Sequence, residues 1–449
     1  MKPDTIVAAA TPPGTGGIGI IRLSGPEAGP ILKSVFRLPS GHPCAFESHR
    51  LYYGRMMDGE RQMDECMAVL MVSPKSYTRE DVAEIHVHGG GWLVQEGIRL
   101  CLRRGARLAE PGEFTRRAFL NGRIDLSQAE AVMSLISAES REEQDAAVRQ
   151  INGGAASFVK PMSDELTSLQ AGLAACIDYP EEISEEEGTG MLIPGIRKLH
   201  AALLEAIDER SSRLIWHGLQ VTLFGRPNVG KSSILNALLG EDKAIVTNIP
   251  GTTRDVIQGH LTLNGVKVVI TDTAGIRQTE DPVEKIGVAR SEKAMREADI
   301  RLLVLDGSEE LTEEDRSLLA KLDAEDAVVI NKSDLPQKVR EEDLLRMGFT
   351  VPCLTVSADE PDTLERIREL IRERAAVRTG LAVTQPRHLD ALQRAADHLQ
   401  DAMETAENLT LDMVSVDLQA AQAALCEITG ERADKALLDR VFSQFCVGK

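Results

Sequence analysis

The stretch Gly225-Arg-Pro-Asn-Val-Gly-Lys231-Ser232 limits what this chain can fold into more than any other feature. It follows an apolar run, QVTLFG, and precedes SILNALLG, which has helical character. A glycine-rich loop between a strand and a helix turns backbone N–H groups and a helix N-terminus toward a phosphate. The stretch therefore predicts a phosphate-binding loop, with Lys231 on the β- and γ-phosphates and Ser232 on Mg²⁺.

Three further motifs follow in the order found in GTP-binding domains. Asp272-Thr-Ala-Gly275 and Asn331-Lys-Ser-Asp334 each end an apolar run, and Ser357-Ala358 follows a third. The carboxylate of Asp334 can accept both N–H groups on the edge of guanine, whereas adenine presents a different donor pattern. Between the first two motifs, Gly251-Thr-Thr-Arg-Asp255 offers Thr253 as a second hydroxyl for Mg²⁺. The ordered set predicts a guanine nucleotide.

The residues predicted to bind GTP or GDP come from these motifs and from the segment before Thr253. They are Asn228, Val229, Gly230, Lys231, Ser232, Ser233, Thr247, Asn248, Ile249, Pro250, Gly251, Thr252, Thr253, Asp272, Thr273, Ala274, Gly275, Asn331, Lys332, Ser333, Asp334, Ser357 and Ala358. Ile276 stands where many GTPases place a glutamine that orients the attacking water. Isoleucine cannot do so, and the nearest acids (Glu280, Asp281 and Glu284) are, from the residues alone, better explained as solvated charges.

The pattern around the motifs alternates apolar runs with helical stretches, which is typical of a parallel sheet flanked by helices. The six predicted strands are QVTLFG, HLTLNG, VKVVITDT, IRLLVLDG, AVVINKSD and FTVPCLTVSA. We expect a multidomain chain with three parts: an N-terminal α+β domain over 1–120, a discontinuous all-α helical domain over 121–212 and 375–449, and an inserted α/β P-loop GTPase domain of Ras-like type over 213–374.

The other parts of the chain have weaker signals. In the front domain, the predicted strands are TIVAAATPPG, GIGIIRLSG, CMAVLMVS and VAEIHVHGG, and WLVQEGIRLCLRRGA is a predicted helix. Behind it, residues 125–151 have long helical character, a helix covers roughly 157–178, and another runs from about 194 to 214. The acidic stretch EEISEEEGTG at 181–190 is predicted to be a solvated loop.

Charge and cysteine content exclude several classes of protein. The net charge is −19, although residues 1–120 hold 15 basic and 13 acidic side chains. A protein that coats itself with nucleic acid or binds an anionic membrane needs clustered Lys and Arg, so neither class fits. No apolar run reaches the length of a membrane span, and the seven scattered cysteines suit the reduced thiols of a cytoplasmic protein.

The chain as a whole resembles the MnmE (TrmE) family of tRNA-modification GTPases. The resemblance runs from about residue 4 to residue 449, and it rests on TIVAAATPPG, PGEFTRRAFLNGRIDLSQAEA, GRPNVGKSSILNAL and the closing FCVGK, which is similar to that family's Cys-x-Gly-Lys signature. It implies a K⁺-stimulated GTP hydrolase that works with an FAD-containing partner, MnmG (GidA). Together they would add an aminomethyl or carboxymethylaminomethyl group to carbon 5 of the wobble uridine of certain tRNAs.

The resemblance also implies a homodimer through the N-terminal domain, which would bind 5,10-methylene- or 5-formyl-tetrahydrofolate. The folate contacts would involve Arg22, Glu84, Arg123 and Lys449. The family often has lysine where this chain has Arg123, so the cation is kept with a different geometry. Cys446 matches a candidate catalytic residue of the family, although a lone cysteine at the end of an apolar helix is as well explained by packing.

For the GTPase, the resemblance implies roles that spacing alone does not assign. Glu284 matches the acid that orients the attacking water. Mg²⁺ would be held by Ser232 and Thr253, and K⁺ by Asn228, Thr247, Ile249 and Thr252.

Two other functions explain parts of the sequence. A regulatory GTPase of the ribosome-assembly type would need the switch motifs, but neither a folate-type front domain nor the terminal signature. A stand-alone folate-dependent aminomethyl transferase would leave the complete set of switch motifs unexplained. The sequence therefore favours the modification GTPase, with tRNA as a substrate held mainly by the partner.

Overall fold

The computed structural model describes residues 4–179, 181, 185–241, 257–273, 293–408 and 411–448. Two compact units make up the chain. The first comprises residues 1–136, 148–204 and 391–449, and the second comprises residues 137–147 and 205–390. Within the described ranges, no helix is long and apolar enough to cross a membrane.

The first unit contains a seven-stranded sheet in the order β3-β4-β5-β6-β2-β1-β7. Helices Ala28–Val35 and Gly91–Arg103 cover one face of it, where Leu32 and Leu100 pack against Ile21 and Ile85 in a buried apolar core. The strands are β1 Ile6–Ala9, β2 Ile18–Ser24, β3 Phe36–Arg37, β4 Leu51–Asp58, β5 Arg61–Met71, β6 Val82–His88 and β7 Arg107–Leu108.

The four strands predicted for the front of the chain are confirmed as β1, β2, β5 and β6, and the helix WLVQEGIRLCLRRGA is confirmed as Gly91–Arg103. Strand β4 and helix Ala28–Val35 were not predicted. The sequence of β4, LYYGRMMD, contains a glycine and two charged residues, so it lacks a continuous apolar run. It is nevertheless a strand because it pairs along its length with β5.

Further helices, of 8 to 25 residues, lie mostly in the helical part of the chain. Helix Gly154–Asp178 packs along helix Leu411–Thr429. Both helices belong to the first unit, although residues 205–390 of the second unit lie between them in the sequence. The helix bounds are Glu113–Leu120, Leu126–Ser137, Arg141–Ile151, Gly154–Asp178, Glu185–Ala206, Glu209–His217, Pro386–Asn408, Leu411–Thr429 and Lys435–Ser443.

Two helix predictions and one loop prediction are corrected, the two helices by local capping. Residues 125–151 form two helices rather than one long stretch, because the chain turns at Ser140, whose hydroxyl accepts a hydrogen bond from Glu143 N at 3.2 Å. The predicted loop at 181–190 is wrong in its second half, where a helix already begins at Glu185. The predicted helix from 194 to 214 is interrupted at Asp208, whose carboxylate accepts from Ser211 N and caps a new helix.

The second unit contains a six-stranded sheet in the order β13-β12-β11-β8-β10-β9, and all six strands were predicted. Only the β9–β10 pair is antiparallel. Buried apolar layers lie on both faces, as expected for a parallel sheet between helices. The strands are β8 Leu219–Phe224, β9 Ile257–Leu263, β10 Val266–Asp272, β11 Ile300–Asp306, β12 Ala327–Asn331 and β13 Cys353–Thr355, and the helices are Lys231–Glu241, Glu313–Leu319, Glu341–Arg346 and Pro361–Arg374.

The sheet topology confirms the predicted fold class and explains why distant motifs meet. Strands β8, β10 and β12 run parallel, so their carboxyl ends lie at one edge of the sheet. Phe224, Asp272 and Asn331 are the last residues of these strands. In open α/β sheets, ligands bind outside this edge.

Candidate functional site: a nucleotide-binding edge and an N-terminal ion-pair cluster

The loop after β8 is shaped by Gly225 at its start and by Lys231 at its end. Gly225 has φ +140°, and a Cβ there would lie 2.4 Å from Val304 O, so only glycine fits against the neighbouring strand. Lys231 Nζ folds back and donates to Gly225 O and Arg226 O, both at 2.9 Å. Burial lowers the pKa of the Lys231 ammonium. The loop thus places a desolvated cation at its centre, where a phosphate charge would stabilise it.

The metal side of the edge consists of Ser232 and Asp272. Ser232 Oγ donates to Asp272 Oδ2 at 2.5 Å. Asp272 is 6% exposed, and within the described residues its Oδ1 is buried without a hydrogen-bond partner. Burial raises the pKa of Asp272, although the Ser232 hydroxyl and Lys231 oppose the shift. A hydroxyl and an unsatisfied carboxylate oxygen are ligands that fit Mg²⁺.

Thr273 ties the end of β10 to the phosphate-binding strand. Its N and its Oγ1 both donate to Leu223 O, at 3.1 and 2.9 Å. Two hydrogen bonds to one carbonyl fix the direction in which the chain leaves the sheet after Asp272.

The base side of the edge is held by side chains that bond to one another. Asn331 Nδ2 donates to Val229 O at 2.8 Å, and Ser357 Oγ donates to Asp334 Oδ1 at 2.7 Å. Among the described residues, Asn331 Oδ1 and Ser333 Oγ are buried without partners. Buried polar atoms are almost always satisfied in native proteins, so these two atoms are available to bond a polar ligand or water at this edge.

Two supporting interactions at this edge were missed by the sequence prediction. Lys332 forms an ion pair with Asp306, the last residue of β11. Arg226 Nη1 donates to Asp315 Oδ2 at 2.9 Å, and Asp315 also closes a capping box with Thr312. The signals were present: Asp306 ends a predicted strand at the same sheet edge, and T-E-E-D is a capping-box pattern.

Some predicted residues cannot be placed. Thr247, Asn248, Ile249, Pro250, Gly251, Thr252, Thr253, Ala274, Gly275, Glu284 and Lys449 lie outside the described residues. The predicted edge residues that are described, from the phosphate loop to Ser357 and Ala358, follow the carboxyl ends of their strands.

A second cluster lies on the face of the N-terminal sheet opposite helices Ala28–Val35 and Gly91–Arg103, beside the buried ring of Phe114. Arg22 and Glu84 are paired across β2 and β6, and Arg22 Nε donates to Glu84 Oε1 at 2.8 Å. Glu84 Oε2 lies 3.2 Å from His86 Nε2, and Arg22 Nη1 donates to Gly448 O at 3.3 Å. Arg22 and His86 thus meet at the Glu84 carboxylate, and Gly448, far away in the sequence, contacts Arg22.

Arg123 is held by an aromatic ring rather than by a described carboxylate. Its Cζ lies 4.8 Å from the centre of the Tyr77 ring, while Arg22 Cζ lies 5.8 Å from that of Phe114. Tyr77 and Phe114 pack in one small apolar cluster, so the two guanidiniums approach the same aromatic group.

The last residues of the chain pack on the first unit. Val447 bridges to Pro111, and Gly112 N donates to Cys446 O at 3.4 Å. Cys446 is exposed and free. This docking brings Gly448 to Arg22, and it leaves the Cys446 thiol accessible to solvent.

Comparison with known proteins places the whole chain in one family. Two family models match, "GTP-binding protein TrmE N-terminus" over residues 5–123 and "MnmE helical domain" over residues 126–446. The tRNA modification GTPase MnmE of Heliobacterium modesticaldum is 45% identical over all of both chains, and that of Bacillus subtilis is 43% identical over 99% of this chain and all of its own. The chain belongs to the MnmE family.

The GTPase relatives agree with the phosphate-loop and base-recognition motifs found at the carboxyl ends of β8, β10 and β12, and the protein is a GTP hydrolase.

Solved structures also match over part of the chain. The G domain of the T. maritima FeoB iron transporter covers 35% of this chain and 99% of its own, at 29% identity and a TM-score of 0.29. Aquifex aeolicus Era bound to GDP and aluminium fluoride covers 40% of this chain and 65% of its own, at 26% identity and a TM-score of 0.31.

Proposed function

We propose that the protein couples GTP hydrolysis to modification of carbon 5 of the wobble uridine in certain tRNAs, with an FAD-containing partner of the MnmG (GidA) type. One observation carries the proposal: a nucleotide edge and the Arg22–Glu84 cluster occur in one chain that matches tRNA modification GTPases over its full length. A homodimer through the N-terminal domain and a cytoplasmic location belong to the same proposal.

A regulatory GTPase of the ribosome-assembly type is the alternative. Such a switch would use the nucleotide edge, but it would leave the Arg22–Glu84 pair and the docked C-terminal segment without a role. Those interactions therefore favour the modification enzyme.

At the nucleotide edge, the described residues divide the work. Lys231 exchanges its loop carbonyls for the β- and γ-phosphates, because a buried ammonium gains most from a charged partner. Asp334 accepts from guanine while Ser357 holds its carboxylate in place. Ser232 and Asp272, with Thr253, would hold Mg²⁺, which neutralises phosphate charge during transfer.

A monovalent cation replaces an arginine finger in this proposal. Asn228 is exposed at the phosphate loop and has φ +67°, a left-handed backbone conformation that asparagine tolerates. With Thr247, Ile249 and Thr252, it would hold K⁺ where charge develops between the β- and γ-phosphates. Glu284 would orient the attacking water, because Ile276 cannot. The assignment of Thr247, Ile249 and Thr252 as K⁺ ligands is supported by the sequence resemblance.

The N-terminal cluster suits a folate. A pterin edge carries N–H donors that a carboxylate such as Glu84 accepts, and the glutamate tail of folate requires cations. Arg22, Arg123 and Lys449 would supply them. The exposed Cys446 remains a candidate for the transfer chemistry, since accessibility is one of the two conditions for a reactive thiol.

The wobble nucleosides of tRNA test the whole proposal. Cells that lack this gene are complemented with the wild type, Lys231→Ala, Glu84→Gln or Glu47→Gln, and their tRNA nucleosides are measured by mass spectrometry. We expect the wild type and the control Glu47→Gln, a carboxylate exposed to solvent, to restore the modified uridine. Lys231→Ala and Glu84→Gln should not.

Each contrary result contradicts a different part of the proposed function. A nucleoside profile that does not change when the gene is deleted contradicts the modification function. Restoration by Glu84→Gln removes the folate assignment alone, and restoration by Lys231→Ala removes the dependence on GTP. Thermal unfolding of the purified variants checks that a failure to restore is not a failure to fold.

A further inference from the structure

A short segment between helix Leu126–Ser137 and the first turn of helix Arg141–Ile151, here named the strap (residues 137–142), belongs to the second unit. It contacts the hairpin formed by β9 and β10. Glu142 N donates to Gly265 O at the tip of the hairpin, at 3.0 Å, and Glu139 forms an ion pair with Lys267 on β10. The hairpin is therefore fastened to the strap by one backbone bond and one pair of charges.

The strap is held in shape by its own helix. Glu143 N donates to Ser140 Oγ at 3.2 Å, and Glu143 Oε2 accepts from Glu139 N at 2.7 Å. Glu143 is only 6% exposed. These two bonds resemble a capping box, which orders the first turn of a helix. The strap thus presents Glu139 to the hairpin from a fixed backbone.

Glu139 pairs with a positive charge on the hairpin, the ammonium of Lys267. His260 and Lys267 lie on the same face, diagonally across the β9–β10 ladder. Burial lowers the pKa of His260, and Lys267 lowers it further, while Glu139 opposes the shift. The acid that pairs with the Lys267 ammonium comes from the strap.

The hairpin connects this contact to the nucleotide edge. β9 and β10 pair continuously from Leu263 and Val266 at the tip to Ile257 and Asp272 at the far end. Among the described strands, β9 lies at the edge of the sheet and pairs with β10. β10 also pairs with β8, from Val268 to Asp272. The hairpin tip is therefore joined through β10 to the strand end that carries Asp272.

We propose that the strap is a positioning element for GTP hydrolysis: Glu139 and Lys267 fix the hairpin whose far end places Asp272 at the nucleotide. The inference rests on the proposed role of Asp272 and goes beyond it. Neither residue touches the nucleotide. Both act through the ladder, and a displacement of about 1 Å at a catalytic group costs up to about 100-fold in rate.

Charge reversal and rescue test the proposal on the full chain, at fixed KCl and MgCl₂. Glu139→Lys places two ammonium groups together, and we expect kcat for GTP to fall about 3- to 10-fold. The affinity for a fluorescent GDP analogue should stay within about twofold, because the phosphate loop and the base side are untouched. The double variant Glu139→Lys/Lys267→Glu should recover at least about half of the rate.

The matched control reverses an exposed ion pair of the same unit. Glu342→Lys opposes Arg346 on a solvent-exposed helix and should leave kcat unchanged. The inference is overturned if Glu139→Lys keeps the wild-type kcat, or if its kcat and GDP affinity fall together without recovery in the double variant. The variant Asp272→Asn distinguishes failure of the strap proposal from failure of the proposed nucleotide site. An unchanged kcat in this variant contradicts the role of Asp272 at the nucleotide rather than the role of the strap.

Discussion

Asn331 shows how a residue of one motif can support another motif. It opens the N-K-S-D stretch, yet its amide donates to Val229 O in the phosphate loop. A Cβ on Gly230 would lie 2.1 Å from Asn331 Nδ2, so the close approach requires glycine there. The motif therefore joins the two sides of the edge, because its first residue supports the phosphate loop while Asp334 is proposed to bind the base.

At the same scale, Asn228→Ala tests the monovalent cation. We expect the wild type to hydrolyse GTP about tenfold or more faster in KCl than in NaCl, because a cation between the phosphates offsets developing charge. Asn228→Ala should abolish that difference, whereas Asn236→Ala, an exposed asparagine on helix Lys231–Glu241, should keep it. Equal initial rates of the wild type in the two salts would contradict the cation assignment.

At the scale of elements, an ion-pair network fastens helix Glu113–Leu120 to the N-terminal sheet. Arg107 on β7 donates to both Glu113 oxygens, and Arg117 donates to Glu113 and to Asp4. Burial opposes the shift, but these arginines hold the pKa values of Asp4 and Glu113 below their ordinary range. The network joins the start of the sheet to the helix that follows it.

The sign of this shift predicts sensitivity to acid. A carboxyl whose pKa is lower when folded stabilises the protein above its unfolded pKa of about 4, and this is lost as the pH falls through the folded value. We expect the thermal midpoint of the first unit to fall steeply below about pH 4. Glu113→Gln should already lower stability by about 1–3 kcal/mol at pH 7, and it should flatten the acid dependence.

Thermal unfolding followed by circular dichroism between pH 3 and pH 7 measures both effects. Glu47→Gln, an exposed carboxylate on the same sheet domain, is the control and should follow the wild-type curve. A Glu113→Gln curve that is parallel to the wild type over the whole range would contradict the network's role.

At the scale of the whole molecule, charge is distributed unevenly. Residues 1–120 are nearly balanced, with 15 basic and 13 acidic side chains, whereas the whole chain carries −19. The acid therefore lies behind the front domain. Phosphate backbones bind where cations cluster, so this chain offers tRNA little beyond its front domain.

We expect the protein alone to bind tRNA at least about tenfold more weakly than its complex with the proposed FAD-containing partner, at the same salt concentration. Fluorescence anisotropy with labelled tRNA measures both affinities, and a salt titration gives the number of phosphate contacts for each. Tight binding by this chain alone, unchanged when the partner is added, would contradict the division of labour.

The sequence by itself determined the second unit's sheet and the order of its motifs, because a parallel sheet buries near-continuous apolar runs and a phosphate loop needs glycine at set places. It could not locate β4 or the helix breaks at Ser140 and Asp208, since pairing and capping there override a weak or continuous pattern. Only the tertiary structure brought Arg22, Glu84 and Gly448 together, and Glu139 to Lys267. Those contacts join residues far apart in the chain, and no local spacing encodes them.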